Sequence, residues 1–223
     1  MDPRYWELEN FIALRRQTLA LVDGLDPVRA RTRPEPGRWS VVEVLDHLVR
    51  VDTFFRRDLQ RLLARARRGK PFLCSGWDRM NLKRPRGRRR RPIERGLRVA
   101  LEAPAAVANA FVPPALRRTL GLDRRWLKWV PKPFSPARDR PLQGLRAELS
   151  AMIETTEALA RTEGVDLRRL LYYSHLSGLG DVPTVYLSAA SHERRHQIQL
   201  AELLDDPRIS EGQGRKPSTD ARW

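Results

Sequence analysis

Three of the four histidines in this sequence are placed where a metal ion could bind them. His192 and His196 are four residues apart, so a helix would carry both imidazoles on one face, one turn apart. His47 lies far upstream, in another segment with the apolar spacing of a helix. Two ligands from one helix and a third from another predict a facial three-histidine site. Such a site leaves coordination positions open for water and substrate, as catalytic metals require.

The residues around these histidines indicate that the imidazoles point into a core. The stripe on the downstream helix is apolar at both ends and consists of Val185, Ala189, His192, His196, Gln199 and Leu203. His47 shares its face with Val44, Leu48 and Val51. Buried imidazoles need partners for their ring nitrogens, and a shared metal supplies one. The alternative is that these are ordinary core histidines, since a spacing of four also arises by chance.

Two polar residues are candidates for supporting the predicted ligands. Glu43 lies one turn before His47 and could accept a proton from its imidazole. The same carboxylate could instead close a capping box with Ser40, and both interpretations stay open. Gln199 lies one turn past His196, where it could line a cavity or simply occupy a polar position of the bundle.

The elements that must position these side chains are four long amphipathic helices. They are predicted from about residue 3 to 22, from the cap Ser40 to near Gly69, from about 141 to 162, and from near Pro183 to just before Asp205. Strand-like alternation is scarce. We therefore expect an all-α protein, a four-helix bundle within a single domain over residues 1–208. A polar tail, expected to be disordered, follows over 209–223.

A long, irregular and basic insertion, about residues 71–138, separates the second and third helices. The formal net charge is +16, and residues 61–98 contain fifteen Lys or Arg but two acids, a local net charge of +13. Nucleic-acid binding through the run 83–91 is possible by counterion release, but no recognition motif frames it, so a solvated loop is favoured. Short helices are expected near 93–102 and 116–129. The insertion should cover one mouth of the bundle without contributing ligands, because its apolar anchors need a surface that buries them: Trp126, Leu127, Trp129, Val130 and Phe134.

Cysteine content and hydropathy indicate the cellular compartment. Cys74 is the single cysteine, which excludes an intrachain disulfide, and it is interpreted as incidental. His175 is expected to be structural. The sequence opens on a charged amphipathic helix rather than a signal peptide, and no apolar stretch reaches the roughly 18 residues of a transmembrane helix. A cytoplasmic location is therefore expected.

The histidine-bearing segments also resemble a known family. Residues 39–48 (WSVVEVLDHL) and 191–199 (SHERRHQIQ) are similar to the second- and fourth-helix segments of the DinB/YfiT-like superfamily of bacterial metal-binding four-helix bundles. Residues 173–180 (YSHLSGLG) are similar to the family's approach to its last helix. The resemblance covers about 3–68 and 139–204 and excludes the insertion and the tail.

The resemblance implies a metal and a chemistry. In the family, the histidine of the second helix and the two of the last helix bind one divalent metal. The corresponding residues of this sequence are His47, His192 and His196. Zinc, nickel, iron and manganese occupy such sites in different members, and known enzymes include bacillithiol S-transferases and mycothiol-dependent maleylpyruvate isomerase. The implied function is thiol transfer to an electrophilic small molecule, with a low-molecular-weight thiol as cofactor. A homodimer is the expected assembly. Hydrolysis by the same site, or a non-enzymatic metal-binding role linked to stress, are the alternatives.

Overall fold

All four predicted long helices are present in the computed structural model, which describes residues 5–75, 132–174 and 178–210. In chain order, its helices are α1 (Trp6–Leu21), α2 (Pro27–Arg31), α3 (Val41–Ala66), α4 (Leu142–Ala160), α5 (Val182–Leu204) and α6 (Pro207–Ser210). The long helices α1, α3, α4 and α5 pack as a bundle in which α1 and α3 each contact both α4 and α5. The predicted all-α bundle is confirmed.

Local sequence signals set the starts of the two helices that carry the histidines. At the start of α3, the hydroxyl of Ser40 accepts from the Glu43 amide at 3.3 Å, and the Glu43 carboxylate accepts from the Ser40 amide at 2.9 Å. This is the capping box expected from the sequence. At the start of α5, the Asp181 carboxylate accepts from the amide of Thr184 at 2.8 Å.

One addition that the sequence pattern does not predict is a small sheet. Its strands are β1 (Phe72–Cys74), β2 (Leu171–Ser174) and β3 (Gly178–Asp181), in the order β1-β2-β3. β1 pairs in parallel with β2, and β2 pairs antiparallel with β3. Strands of three or four residues are too short to show an alternating pattern, and the partners lie about a hundred residues apart in the chain. The same limit applies to α2, which lies in the predicted loop before Gly37.

Two apolar clusters fill the bundle, and a polar layer separates them along each long helix. One cluster includes Leu8, Leu62 and Leu159, and the other includes Val44, Leu145 and Leu200. Between them lie the polar residues Arg15 and Thr18 of α1, Asp52 and Arg56 of α3, Thr156 of α4 and Glu193 of α5. The bundle core is therefore apolar at both ends and charged in the middle.

Arg15 occupies the centre of this polar layer. Its guanidinium donates twice to the Glu193 carboxylate, with both nitrogen–oxygen distances at 2.9 Å, and lies 3.6 Å from Asp52. The same group lies 5.0 Å from the ring centroid of Phe11. Glu193 also accepts from the hydroxyl of Thr18 at 2.5 Å. The buried charge of Arg15 is thus compensated by carboxylates from two other helices.

Several predicted features lie outside the described residues. These are the basic run 83–91, most of the insertion with its short helices and its anchors Trp126, Leu127, Trp129 and Val130, His175, and residues 211–223. Ile209, the first residue of the predicted tail, is buried in the apolar cluster that includes Leu200. Among the described helices, none is long and apolar enough to span a membrane.

The buried charge layer leads to a stability prediction. Arg15→Met keeps most of the side-chain length but leaves Glu193 buried without its cation and Asp52 paired with Arg56 alone, so we expect the free energy of unfolding to fall by about 3–5 kcal/mol. Arg16→Met is the matched control, because Arg16 is 63% exposed and pairs with Glu157 at the surface. It should cost at most about 1 kcal/mol. Urea unfolding of both variants measures the difference, and equal costs would contradict the role given to Arg15.

Candidate metal centre

The three predicted histidines converge in the bundle. His47 on α3 and His192 on α5 bring their Nε2 atoms to 3.2 Å, and the Nε2 atoms of His192 and His196 are 3.1 Å apart. The potential ligand atoms of all three lie within 4.8 Å of one another. Among the described residues, this is the cluster of ligand side chains that could hold a metal ion.

Hydrogen bonds at the far side of two rings fix which nitrogen faces the cluster. The Nδ1 atom of His47 lies 2.8 Å from the carbonyl oxygen of Phe134, and Nδ1 of His196 lies 2.9 Å from the side-chain oxygen of Gln199. Both oxygens only accept, so each Nδ1 carries the proton and donates it. In a neutral ring the other nitrogen, Nε2, then presents a lone pair. Both lone pairs point toward His192.

The spacing of the nitrogens fits a divalent metal. Imidazole nitrogens bound about 2.0–2.1 Å from one zinc ion, at angles of roughly 90–110°, would be about 2.8–3.4 Å apart. The observed separations of 3.1 and 3.2 Å fall within that range. Without an ion, His192 could donate a proton from Nε2 to only one of its two neighbours at a time. The donor set is therefore better satisfied by a cation than by hydrogen bonds between the rings.

Burial keeps the imidazoles in the form that binds metals. Burial is the main cause that lowers the pKa of all three imidazoles. It lowers the pKa of His47 below the usual value of 6.5, the pKa of His192 well below that value, and the pKa of His196 to about 4. The neighbouring imidazoles lower the pKa values of His192 and His196 further. At neutral pH all three rings are neutral, and a neutral imidazole is the form with a free lone pair.

Aromatic side chains lie near the imidazoles. The ring of Trp39, directly before the α3 cap, lies 5.0 Å from the ring of His47 and 6.3 Å from that of His196, nearly parallel to the latter. Phe134, whose carbonyl binds His47, packs edge-on against Phe54 at 5.4 Å. The indole of Trp39 thus gives two of the three imidazoles an apolar neighbour.

Glu43 is engaged away from the imidazoles. Its carboxylate closes the capping box and also accepts from Arg33, with Nε of Arg33 at 2.7 Å, while Arg138 lies 3.6 Å away. Among the hydrogen bonds of the described residues, none joins Glu43 to an imidazole. Of the two interpretations that the sequence left open, the observed contacts agree with the capping box.

Asp46 ties the end of the insertion to α3. Its buried carboxylate accepts from Arg50 at 2.6 Å, from the amide of Ala137 at 2.6 Å and from Arg140 at 3.1 Å. The end of the insertion is thereby fastened one residue away from His47. Phe134 belongs to the same stretch, so these contacts position its carbonyl against the His47 ring.

Sequence reasoning missed two contributors to the site. Phe134 acts through its backbone carbonyl, which no side-chain pattern reveals. Trp39 stands at the position before the N-cap, where an apolar residue is common for local reasons, so its position did not distinguish it. Gln199, by contrast, is where the sequence placed it, one turn past His196.

Comparison with known proteins adds a family. A family model described as the DinB superfamily matches residues 10–200, which include all three clustered histidines. The searches of curated proteins and of solved structures returned no match.

The lowered pKa values predict a pH dependence in metal-free protein. The histidines of the unfolded chain titrate near pH 6.5, but those of the cluster titrate lower, to about 4 for His196. Between these values the unfolded chain binds more protons, so the free energy of unfolding should fall as the pH falls from 6.5 to 4. Each unmatched proton contributes a slope of about 1.4 kcal/mol per pH unit.

The variant His192→Gln removes one of these titrating groups and should show a shallower slope. Urea unfolding of both proteins in the presence of a chelator, at several pH values from 7 to 4.5, measures the two slopes. Carboxylates also titrate in this range, but they are common to both proteins and cancel in the comparison. Identical slopes would show that His192 does not titrate differently in the folded and unfolded chains.

Proposed function

Because the chain belongs to the DinB superfamily, we propose that it binds one divalent metal ion through His47, His192 and His196. The convergence of three Nε2 atoms from two helices carries this proposal. The hydrogen bonds at Nδ1 of His47 and His196 support it, because they turn lone pairs toward a common point. All three donors are neutral nitrogens, a set that suits zinc, nickel or iron.

Two groups support the proposed ligands by holding their rings. The Phe134 carbonyl accepts the Nδ1 proton of His47, and the Gln199 side chain accepts that of His196. Acceptors at this position fix the tautomer and raise the basicity of the nitrogen that faces the metal. We assign these roles to Phe134 and Gln199 and not to Glu43, whose carboxylate is occupied by Ser40 and Arg33.

We further propose that the protein is a metal-dependent thiol S-transferase that acts on an electrophilic small molecule. A divalent metal held by neutral ligands supplies an uncompensated positive charge, which lowers the pKa of a thiol or water bound to it. The thiolate is the reactive form in thiol transfer. The protein contributes neutral imidazoles, which leave that charge undiminished, and the Trp39 ring, which packs beside two of them.

Metal binding to the native state should raise the melting temperature with metal concentration. A free concentration of a hundred times Kd corresponds to about 2.7 kcal/mol of added stability. His192→Ala should fold but lose this response, because it removes the central donor of the cluster. His175→Ala is the matched control, since it deletes the one histidine that is not among the proposed ligands.

Thermal melts of tag-free, chelator-treated proteins with added zinc, nickel or manganese measure the response, and elemental analysis gives the stoichiometry. One metal per chain is expected for the parent and for His175→Ala. A response that survives in His192→Ala, or disappears in His175→Ala, would show that the ligands are different.

The proposed reaction is tested with the metal-loaded protein, a small thiol and an activated aryl halide. Thioether formation should require the metal and should be lost in His192→Ala. Turnover of an activated ester without any thiol would instead identify a hydrolase. Metal loading with neither activity would favour a non-enzymatic metal-binding protein, and the mass in solution tests the expected homodimer.

A further inference from the structure

Arg195 is an exposed cation beside the histidine cluster. It lies on α5 three residues after His192, directly before His196 and four residues before Gln199. Residues three and four apart share one side of a helix, so Arg195 flanks the side of α5 that carries His192 and Gln199. In the part of the chain that the structure describes, its guanidinium has neither an ion pair nor a hydrogen bond.

The acids around the site are already compensated by other cations. Glu43 pairs with Arg33, Asp46 pairs with Arg50 and Arg140, and Glu193 pairs with Arg15. None of these three described carboxylates pairs with Arg195. The proposed site therefore has a positive surplus even before a dication is added, and the ligand that best complements it is an anion.

The electrostatics of the histidines agree with this placement. The charge of Arg195 contributes to lowering the pKa of His47, of His192 and of His196. Arg15, the other cation that acts on the cluster, contributes for His192.

We propose that Arg195 binds the carboxylate of a small anionic thiol whose sulfur enters the histidine cluster. This inference rests on the proposed thiol chemistry and specifies its substrate class: a thiol with a carboxylate within a few bonds of the sulfur. A guanidinium presents paired N–H donors that match the two oxygens of a carboxylate. Recognition at both ends would orient the sulfur and would select anionic thiols against neutral ones.

The test uses cobalt-loaded protein, because the visible absorption of cobalt(II) changes when sulfur binds it. The ligands are 3-mercaptopropionate and 3-mercaptopropanamide, which have the same length and differ in the charged group. We expect Arg195 to raise the affinity of the parent for 3-mercaptopropionate about three- to tenfold. This range allows for the exposure of Arg195 to solvent.

Arg195→Gln should reduce the affinity for mercaptopropionate by that factor and leave the affinity for mercaptopropanamide unchanged. Arg195→Lys should retain part of the preference, because it keeps the charge but not the paired donors. Arg194→Gln is the matched control, since it removes the same charge from the neighbouring exposed position of α5 and should leave the preference intact.

The outcomes separate this inference from the proposed function. The inference alone would be overturned if both thiols bind but Arg195→Gln leaves the preference for the carboxylate unchanged. It would also be overturned if Arg194→Gln reduces that preference as much as Arg195→Gln does. Cobalt loading without a spectral change from either thiol would overturn the thiol chemistry and the inference together. Failure to load cobalt would overturn the metal site itself.

Discussion

The buried pair of Arg15 and Glu193 is the constraint on which the arrangement of the bundle depends. A guanidinium in the core is tolerated only if it is fully compensated, and Arg15 obtains this from Glu193 on α5 and Asp52 on α3. These contacts fix the rotation of α5 about its own axis. His192 directly precedes Glu193, and successive residues of a helix are about 100° apart, so holding Glu193 toward α1 turns His192 and His196 toward α3.

Asp46 and His47, which are also consecutive in the sequence, position the α3 side of the site in the same way. Asp46 binds Arg50, Arg140 and the amide of Ala137, while His47 binds the carbonyl of Phe134. The acid fastens the chain that returns from the insertion, and that chain then holds the imidazole. On both sides, a buried carboxylate clamped by arginine stands next to a histidine in the sequence. The positions of the His192 and His47 rings therefore depend on the ion pairs of the adjacent carboxylates, Glu193 and Asp46.

Whether a feature could be predicted from the sequence depends on how far apart in the chain its interacting residues lie. The capping box of Ser40 and Glu43 and the pair His192 and His196 are set within one turn of helix, so their spacing was sufficient. The grouping of His47 with that pair followed from the amphipathic stripes, and the family resemblance implied the same three ligands. The carbonyl of Phe134 and the pairing of β1 with β2 depend on contacts between segments about ninety to a hundred residues apart, which leave no local pattern. Arg15 was also missed, because its sequence position shows its helix but not its partners.

The distribution of charge explains how a protein with so many arginines can offer a neutral ligand set. The acids that are buried near the site, Glu43, Asp46 and Glu193, could each have ligated a cation, yet each is held by at least one guanidinium and faces away from the nitrogen cluster. Arginine remains charged at any physiological pH, so these pairs do not release their carboxylates. The imidazoles are then the donors that remain for a metal. A dication bound by them would keep its whole charge, and that charge, together with Arg195 at the edge, would act on whatever ligand enters.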